Sequence, residues 1–476
     1  MQQLSGLDAV FLNLETNAVP MHIGSLIILD PTTAGPGFGF ARVRQLVAER
    51  LHLLPGFRRR LLSTPWNLDQ PYWLEDPDFD IENHVRHRAL PAPGNAQQLS
   101  EFICDIFATR LDRERPLWVF YYIEGLEGGK VACLSKIHHA CIDGLSGAEL
   151  LSNLLDTTPQ GREVPPPEAP WMPDEIPTPW KLTYTTAKNV LSRPGEIYRL
   201  ARETLPLLMS ARKEMLAQQH AAEKSATPTS GGAPRMRFNT TITSRRSYAF
   251  RTVALADIKL IKNAFGVSVN DVVLTVCAEA LRNYLLEKKE LPRQPLVAAI
   301  PVSVRSGDER GAGGNRVTMA RAPLGTHIAD PVERLLAMSR KMGDVKKTMK
   351  AIPARLMLDW ADAPPPAVMA QAARLYENFS IQNYMSPPFN LVISNVPGPP
   401  GALYFAGARV EANFPVSIPY HGLACNITVF SLQDNLDIGI TAHRGTVPDI
   451  DHLMDLLVDA VAVLKQRAGA QLKKAS

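Results

Sequence analysis

The run His138-His139-Ala140-Cys141-Ile142-Asp143-Gly144 holds the most compact set of proton-handling groups in the chain. Imidazole is the side chain whose ordinary pKa lies near neutrality, so a fixed histidine can take a proton from a substrate hydroxyl without much tuning. Asp143, a carboxylate four residues after His139, could orient that imidazole or hold the loop by pairing with an arginine elsewhere. Gly144 permits backbone angles that other residues avoid and leaves room for a ligand. The same residues could also form a plain strand-end cap, with Asp143 as the N-cap of a helix from Leu145 onward. The doublet, the acid and the glycine at fixed offsets favour the general base.

The flanking elements must position that base. Lys130 to Ile137 is an apolar run that reads as a buried strand, and Leu145 to Leu155 reads as a helix. Neighbouring strand residues face opposite ways, so His138 and His139 take different roles unless the strand has already ended. Upstream, Ser25 to Leu29 predicts a strand after Met21-His22-Ile23-Gly24, while Phe40 to Leu54 and Ala96 to Leu111 predict helices. The strand Val119 to Glu124 is joined to the Lys130 strand by the glycine-containing turn Gly125 to Gly129, which makes a hairpin.

Beyond Asp156 the composition changes. Prolines crowd residues 159–180, which predicts an extended linker. Lys181 to His220 is a cationic amphipathic stretch broken at Pro194 and Pro206. A second folded unit starts near Phe238. Its predicted helices are Ala256 to Ala264, Val269 to Leu286, Asp330 to Ile352, Ala367 to Tyr376 and Ile450 to Arg467. Its predicted strands are Leu296 to Val304, Asn390 to Asn395, Asn426 to Leu432 and Leu436 to Ala442. The expected organisation is a domain over 1–157, a linker and helical connector over 158–237, and a second domain over 238–476. Both domains read as mixed α/β layers.

Composition narrows the function. A chain of 476 residues is long for one core. A net charge of +4 is small for this length and argues against a dedicated nucleic-acid binder, while tolerating anionic ligands. The five cysteines are scattered and mostly in apolar company, which reads as reduced thiols in a cytosolic protein. No Cys/His spacing resembles a zinc site, so no metal is expected. The N-terminus lacks a basic region of the signal-peptide kind, and no run reaches the ~20 apolar residues of a membrane span. Any membrane contact is therefore expected to be peripheral.

The His138–Gly144 run matches the HHxxxDG motif of the CoA-dependent acyltransferase superfamily. Leu4-Ser5-Gly6-Leu7-Asp8-Ala9-Val10-Phe11-Leu12, Pro20-Met21-His22-Ile23-Gly24 and Arg115-Pro116-Leu117-Trp118 narrow the resemblance. So do Val269-Asn270-Asp271-Val272, Pro301-Val302-Ser303-Val304-Arg305 and Asn395-Val396-Pro397-Gly398-Pro399. In order and spacing these stretches resemble the bacterial wax ester synthase/acyl-CoA:diacylglycerol acyltransferases over nearly the whole chain. One departure is His443-Arg444, where an acidic or neutral residue is expected.

The resemblance implies two chloramphenicol-acetyltransferase-like domains, with the active site in a tunnel at their interface. It assigns His139 as general base and His138, Asp143 and Gly144 to the loop that holds it. Asp143 would be structural, and Arg305 is its expected arginine partner. Asn270-Asp271 is implied to matter for activity, with Asn270 reaching the imidazole or the oxyanion; read locally, the pair is an N-cap. Pro116, Leu117 and Trp118 are expected as packing or as a substrate-channel wall. Asn395 to Pro399 is expected to be a rigid turn near the domain interface.

The implied chemistry is direct transfer from long-chain acyl-CoA, a co-substrate rather than a bound cofactor, to diacylglycerol or a fatty alcohol. No acyl-enzyme forms, and Cys141 has no role. The rival readings are a condensation-type acyltransferase fed by a carrier protein and a non-catalytic lipid-binding protein of the same fold. The chain is expected in the cytoplasm, as monomer or homodimer, with peripheral lipid contact through the 181–220 stretch.

Overall fold

A computed structural model describes residues 1–142, 147–192, 232–303, 317–349, 366–380 and 386–475, together with isolated positions between these segments. The first half supplies β1 (Gln2–Gln3), β2 (His22–Asp30), β3 (Arg59–Leu62), β4 (Tyr72–Glu75), β5 (Val85–Ala89), β6 (Trp118–Glu124) and β7 (Val131–His138). The second half supplies β8 (Arg246–Ala254), β9 (Val297–Ser303), β10 (Val317–Pro323), β11 (Leu391–Pro397), β12 (Tyr404–Phe405), β13 (Ala408–Val416), β14 (Cys425–Leu432) and β15 (Asn435–His443). The helices are α1 (Gly6–Leu14), α2 (Phe40–Arg50), α3 (Ala96–Phe107), α4 (Gly147–Leu154), α5 (179–192), α6 (Leu255–Phe265), α7 (Val269–Glu287), α8 (Pro331–Met349), α9 (Pro366–Asn378) and α10 (Ile450–Ala475).

Two six-stranded sheets carry the fold among the described residues. Their strand orders are β12-β13-β2-β7-β6-β5 and β10-β9-β11-β14-β15-β8. β6 and β7 form the expected antiparallel hairpin, and β2 lies antiparallel on the other side of β7. Gly24 makes that last pairing close: a Cβ there would strike the Ser135 carbonyl and lie 2.5 Å from the Phe107 ring. α3 packs on this sheet through Leu99, Ile103 and Phe107, and its first turn is closed by a capping box between Asn95 and Gln98.

The sheets do not follow chain order. β12 and β13, from the second half, join the edge of the first sheet beside β2. β13 also lies against the second sheet, where the Asn413 N–H donates to Asp437 at 2.8 Å and the Tyr248 hydroxyl donates to the Pro415 carbonyl at 3.1 Å. Leu26, Leu134 and Phe107 share one apolar cluster with Tyr248, Phe414 and Val416, so the two halves are joined by a continuous core. The Asn395–Pro399 stretch sits at the same junction. Val396 packs against the first-half core, and Gly398 lies so close to the Ser431 carbonyl that a side chain could not fit.

The second sheet is covered by α7 and α10. α7 is buried around most of its circumference, which marks a helix in the middle of a core. Among the described residues no single helix is long and apolar enough to cross a membrane. The bent pair α6 and α7 passes by length and composition, yet α7 and the apolar face of α6 lie in that core.

The proline-rich linker runs extended and is tied down across the small sheet β1-β4-β3. The Trp171 indole N–H donates to Glu75 at 2.9 Å, and Asp174 accepts from the Glu75 N–H at 3.0 Å. It leads into α5, which is fixed by a 2.7 Å bond from Asn189 to Asp69. Arg193, Arg199, Arg212 and Lys213 of the cationic stretch lie outside the described residues.

Candidate active site

The position of the histidine pair follows from where β7 stops. His138 is its last residue and pairs across the sheet with His22, the first residue of β2. His139 opens a 3-10 turn, His139–Ile142. The pleat therefore ends between the two histidines. Two carbonyls fix the backbone there: the His138 N–H donates to Leu117 at 2.9 Å and the His139 N–H donates to Met21 at 2.8 Å.

The rings then part company. His138 is fully buried, and its Nδ1 accepts from the Ala140 N–H at 3.1 Å. A neutral ring in that arrangement carries its proton on Nε2, which faces the Glu15 carboxylate at 3.6 Å. His139 lies flat on Phe11 of α1, with ring centroids 3.8 Å apart and planes inclined by 17°. By surface area His139 is half-buried rather than sealed, but desolvation around the ring pushes its imidazole down to about 4. At neutral pH it is uncharged, the form a general base requires.

Cys141 is buried and desolvation raises its thiol, so it is not a thiolate. Trp118 is wholly buried between Phe57 and His84, with centroids 4.7 and 4.5 Å away, and its indole N–H donates to the Phe57 carbonyl at 2.7 Å. Pro116 and Leu117 are buried beside it, and Leu117 supplies the carbonyl that holds His138.

Asn270 and Asp271 are the second and third residues of α7, and the helix cap is Ser268. The Asp271 carboxylate accepts from the Ser268 N–H at 3.0 Å while the Ser268 hydroxyl accepts from the Asp271 N–H at 3.2 Å, so Asp271 closes a capping box. Asn270 is half-buried at that helix start. Asp143, Gly144 and Arg305 lie outside the described residues. His443 caps a surface turn, bonding Thr243 at 3.1 Å and Thr446 at 2.9 Å.

Four neighbours of the pair were assigned no role from sequence: Phe11, Glu15, His22 and Arg113. Phe11 and His22 stand inside the resembling stretches Leu4–Leu12 and Pro20–Gly24, a signal that they count but not for what. Glu15 and Arg113 are ninety-eight residues apart and meet only in the fold.

Residues 4–273 match the wax ester synthase/diacylglycerol acyltransferase catalytic domain, and residues 313–465 match the C-terminal domain of the same proteins. A probable diacylglycerol O-acyltransferase of Mycobacterium tuberculosis is 36% identical over 97% of this chain and 98% of its own length. The O-acyltransferase WSD of Acinetobacter baylyi is 33% identical over 98% of this chain and 97% of its own. The solved wax ester synthase/diacylglycerol acyltransferase of Marinobacter aquaeolei superposes with a TM-score of 0.68 at 30% identity, covering 98% of this chain and 100% of that one. A starter condensation domain of rhizomide synthetase, at 11% identity and a TM-score of 0.53 over 98% of this chain and 94% of its own, shares the fold alone. The chain belongs to the wax ester synthase/diacylglycerol acyltransferase family.

Proposed function

We propose that the chain is an O-acyltransferase that moves a long-chain acyl group from acyl-CoA to diacylglycerol or a long-chain alcohol, with His139 as general base. The observation that carries this reading is the His139 ring, neutral, half-buried and held against Phe11 at the end of β7. The acceptor hydroxyl oxygen attacks the thioester carbonyl carbon as an imidazole nitrogen of His139 takes its proton. The tetrahedral oxyanion collapses, the C–S bond breaks, and the CoA thiolate recovers the proton from the imidazolium. No acyl-enzyme forms, in keeping with the protonated, buried Cys141 thiol.

Asn270 is the proposed donor to the oxyanion or to the imidazole, and Asp143 with Arg305 the proposed ion pair under the loop. Two long apolar chains meeting at one imidazole call for a tunnel between the two halves, beside the junction that β13 creates. The proposed setting is the cytoplasmic face of a lipid surface. Trp180, Tyr184 and Leu191 of α5 support it, since all three expose most of their apolar area beside Lys181 and Lys188.

The test is CoA release from palmitoyl-CoA with and without dioleoylglycerol or hexadecanol. Wild type should release CoA only with an acceptor, and His139→Ala should lose about 10²–10⁴ of that rate. Equal release by both proteins would overturn the reading.

A further inference from the structure

Glu15 is the first residue after α1, and its carboxylate is almost wholly buried. A buried carboxylate needs a counter-charge and hydrogen bonds to stay ionised. Arg113 provides the charge, donating to Oε2 from Nη2 at 2.8 Å and from Nε at 3.2 Å. The other oxygen, Oε1, accepts from the Met21 N–H at 3.4 Å and faces His22 Nε2 at 3.4 Å and His138 Nε2 at 3.6 Å.

Met21 is the link to the base. Its N–H is held by Glu15 and its carbonyl holds the His139 N–H at 2.8 Å. The carboxylate thus reaches His139 by two routes, through Met21 and through the ring of His138. The same helix also places Phe11 on the His139 ring. α1 therefore grips the histidine corner at two points, with Phe11 on the ring of the base and Glu15 behind its backbone.

The ligand atoms of Glu15, His22 and His138 lie within 4.8 Å of one another, a spacing that a metal ion could span. The surrounding charge rules against a cation. Arg113 already neutralises Glu15, the Leu111 N–H occupies His22 Nε2 at 3.3 Å, and the Lys136 ammonium lies close enough to Glu15 and both histidines to act on them. A divalent ion would add positive charge to a buried site where one carboxylate already faces a guanidinium and an ammonium. His138 Nε2 has no hydrogen-bond partner among the described residues, so Glu15 is the group that gives its proton a direction.

We infer that Glu15 is a positioning residue for the acyl transfer, a clamp paired with Arg113 that faces the Nε2–H of His138 and holds the backbone of His139 through Met21. The inference rests on His139 being the base. Glu15→Gln keeps the shape and an acceptor for Met21 but removes the charge, whereas Glu15→Asp keeps the charge one methylene short. The readouts are kcat and KM for palmitoyl-CoA, the thermal midpoint, and the 15N signals of His138 in histidine-labelled protein.

Glu15→Gln is expected to lower kcat by about 10- to 100-fold with KM within about twofold, since small misplacements of a reacting group cost that much. It should also move the 15N signal of His138 Nε2 while the Nε2–H tautomer held by the Ala140 N–H persists, and Glu15→Asp should recover part of both. If Glu15→Gln does not fold at the assay temperature, Arg113→Met, which reaches the surface, is read instead and should lower kcat about tenfold. A folded Glu15→Gln, or in its place Arg113→Met, with wild-type kcat overturns the clamp if His139→Ala is inactive. Wild-type turnover in His139→Ala removes the base itself, and with it the clamp.

Discussion

Phe11 lies face to face with His139, its ring centroid 3.8 Å away, and so covers one side of the imidazole with hydrocarbon. Burial around the ring, of which Phe11 forms one face, pushes the imidazole down to about 4. Because the base must be unprotonated to act, the acid limb of kcat/KM is expected near pH 4 to 5 and not near the ordinary histidine value of about 6.5. Enzyme kept at pH 7.5 and assayed by brief pH jumps gives this profile. Phe11→Ala admits water, raises the imidazole pKa and should move the limb upward. An unmoved limb in that variant would show that Phe11 does not set the pKa.

Stability should fall on acidification. His22, His138 and His139 are all lowered by burial, so between the unfolded and folded pKa values the unfolded chain binds more protons than the folded one. Their contribution is fully present above about pH 6.5 and is lost progressively as the pH drops below it. Asp437 acts with the opposite sign: burial raises it to about 6, so the folded state gains relative stability as the pH falls through that value. His84, His327, His421 and His443 are lowered by burial as well, so seven histidines oppose one carboxyl group. The thermal midpoint should therefore drop steadily from pH 7 to pH 5, and a flat or rising midpoint contradicts the assignment.

Cys141→Ala should leave turnover within about twofold and cost about 1 kcal/mol of stability, the scale of one small buried group. Its raised thiol is the wrong protonation state for a nucleophile. Intact-mass measurement during turnover checks the same point, and a palmitoyl adduct on the wild type would refute direct transfer.

Trp118 is expected to matter through packing. Trp118→Ala removes a wholly buried ring stacked between Phe57 and His84 and should cost about 3–5 kcal/mol. Trp118→Phe keeps most of the volume but leaves the Phe57 carbonyl without its donor, a loss of about 1–3 kcal/mol. Urea unfolding distinguishes the two, and a Trp118→Phe midpoint equal to that of the wild type would argue against the hydrogen bond.

The adjacent residues Asn270 and Asp271 should separate in opposite ways. Asp271→Ala opens the capping box of α7 and should cost about 1 kcal/mol in stability. Asn270→Ala should leave the midpoint unchanged and lower kcat by about 10²–10³ if the amide serves the oxyanion. Thermal midpoint and kcat, measured side by side, check both halves of this expectation.

Much of the architecture was legible residue by residue. The β6–β7 hairpin, α3, α7 and β14–β15 show clear periodicity bounded by turn residues or caps, so local pattern and fold agree. β13 was not legible. Asn413 and Pro415 are poor strand residues, and a register shift between Val410 and Ala412 breaks its alternation. Its stability comes from β2 on one side and from Asp437 and Tyr248 across the sheets, partners that no local window contains.

The site divides in the same way. By itself the sequence determined the candidates for the chemistry and the family: a histidine doublet at a strand end, the stretches that accompany it, and a resemblance that the comparisons bear out. Tertiary structure alone decided how the doublet splits, because ring direction depends on where the β2–β7 pairing stops. It alone brought Glu15 to Arg113 and Phe11 to His139, since charge pairing and desolvation act between groups close in space whatever their distance along the chain.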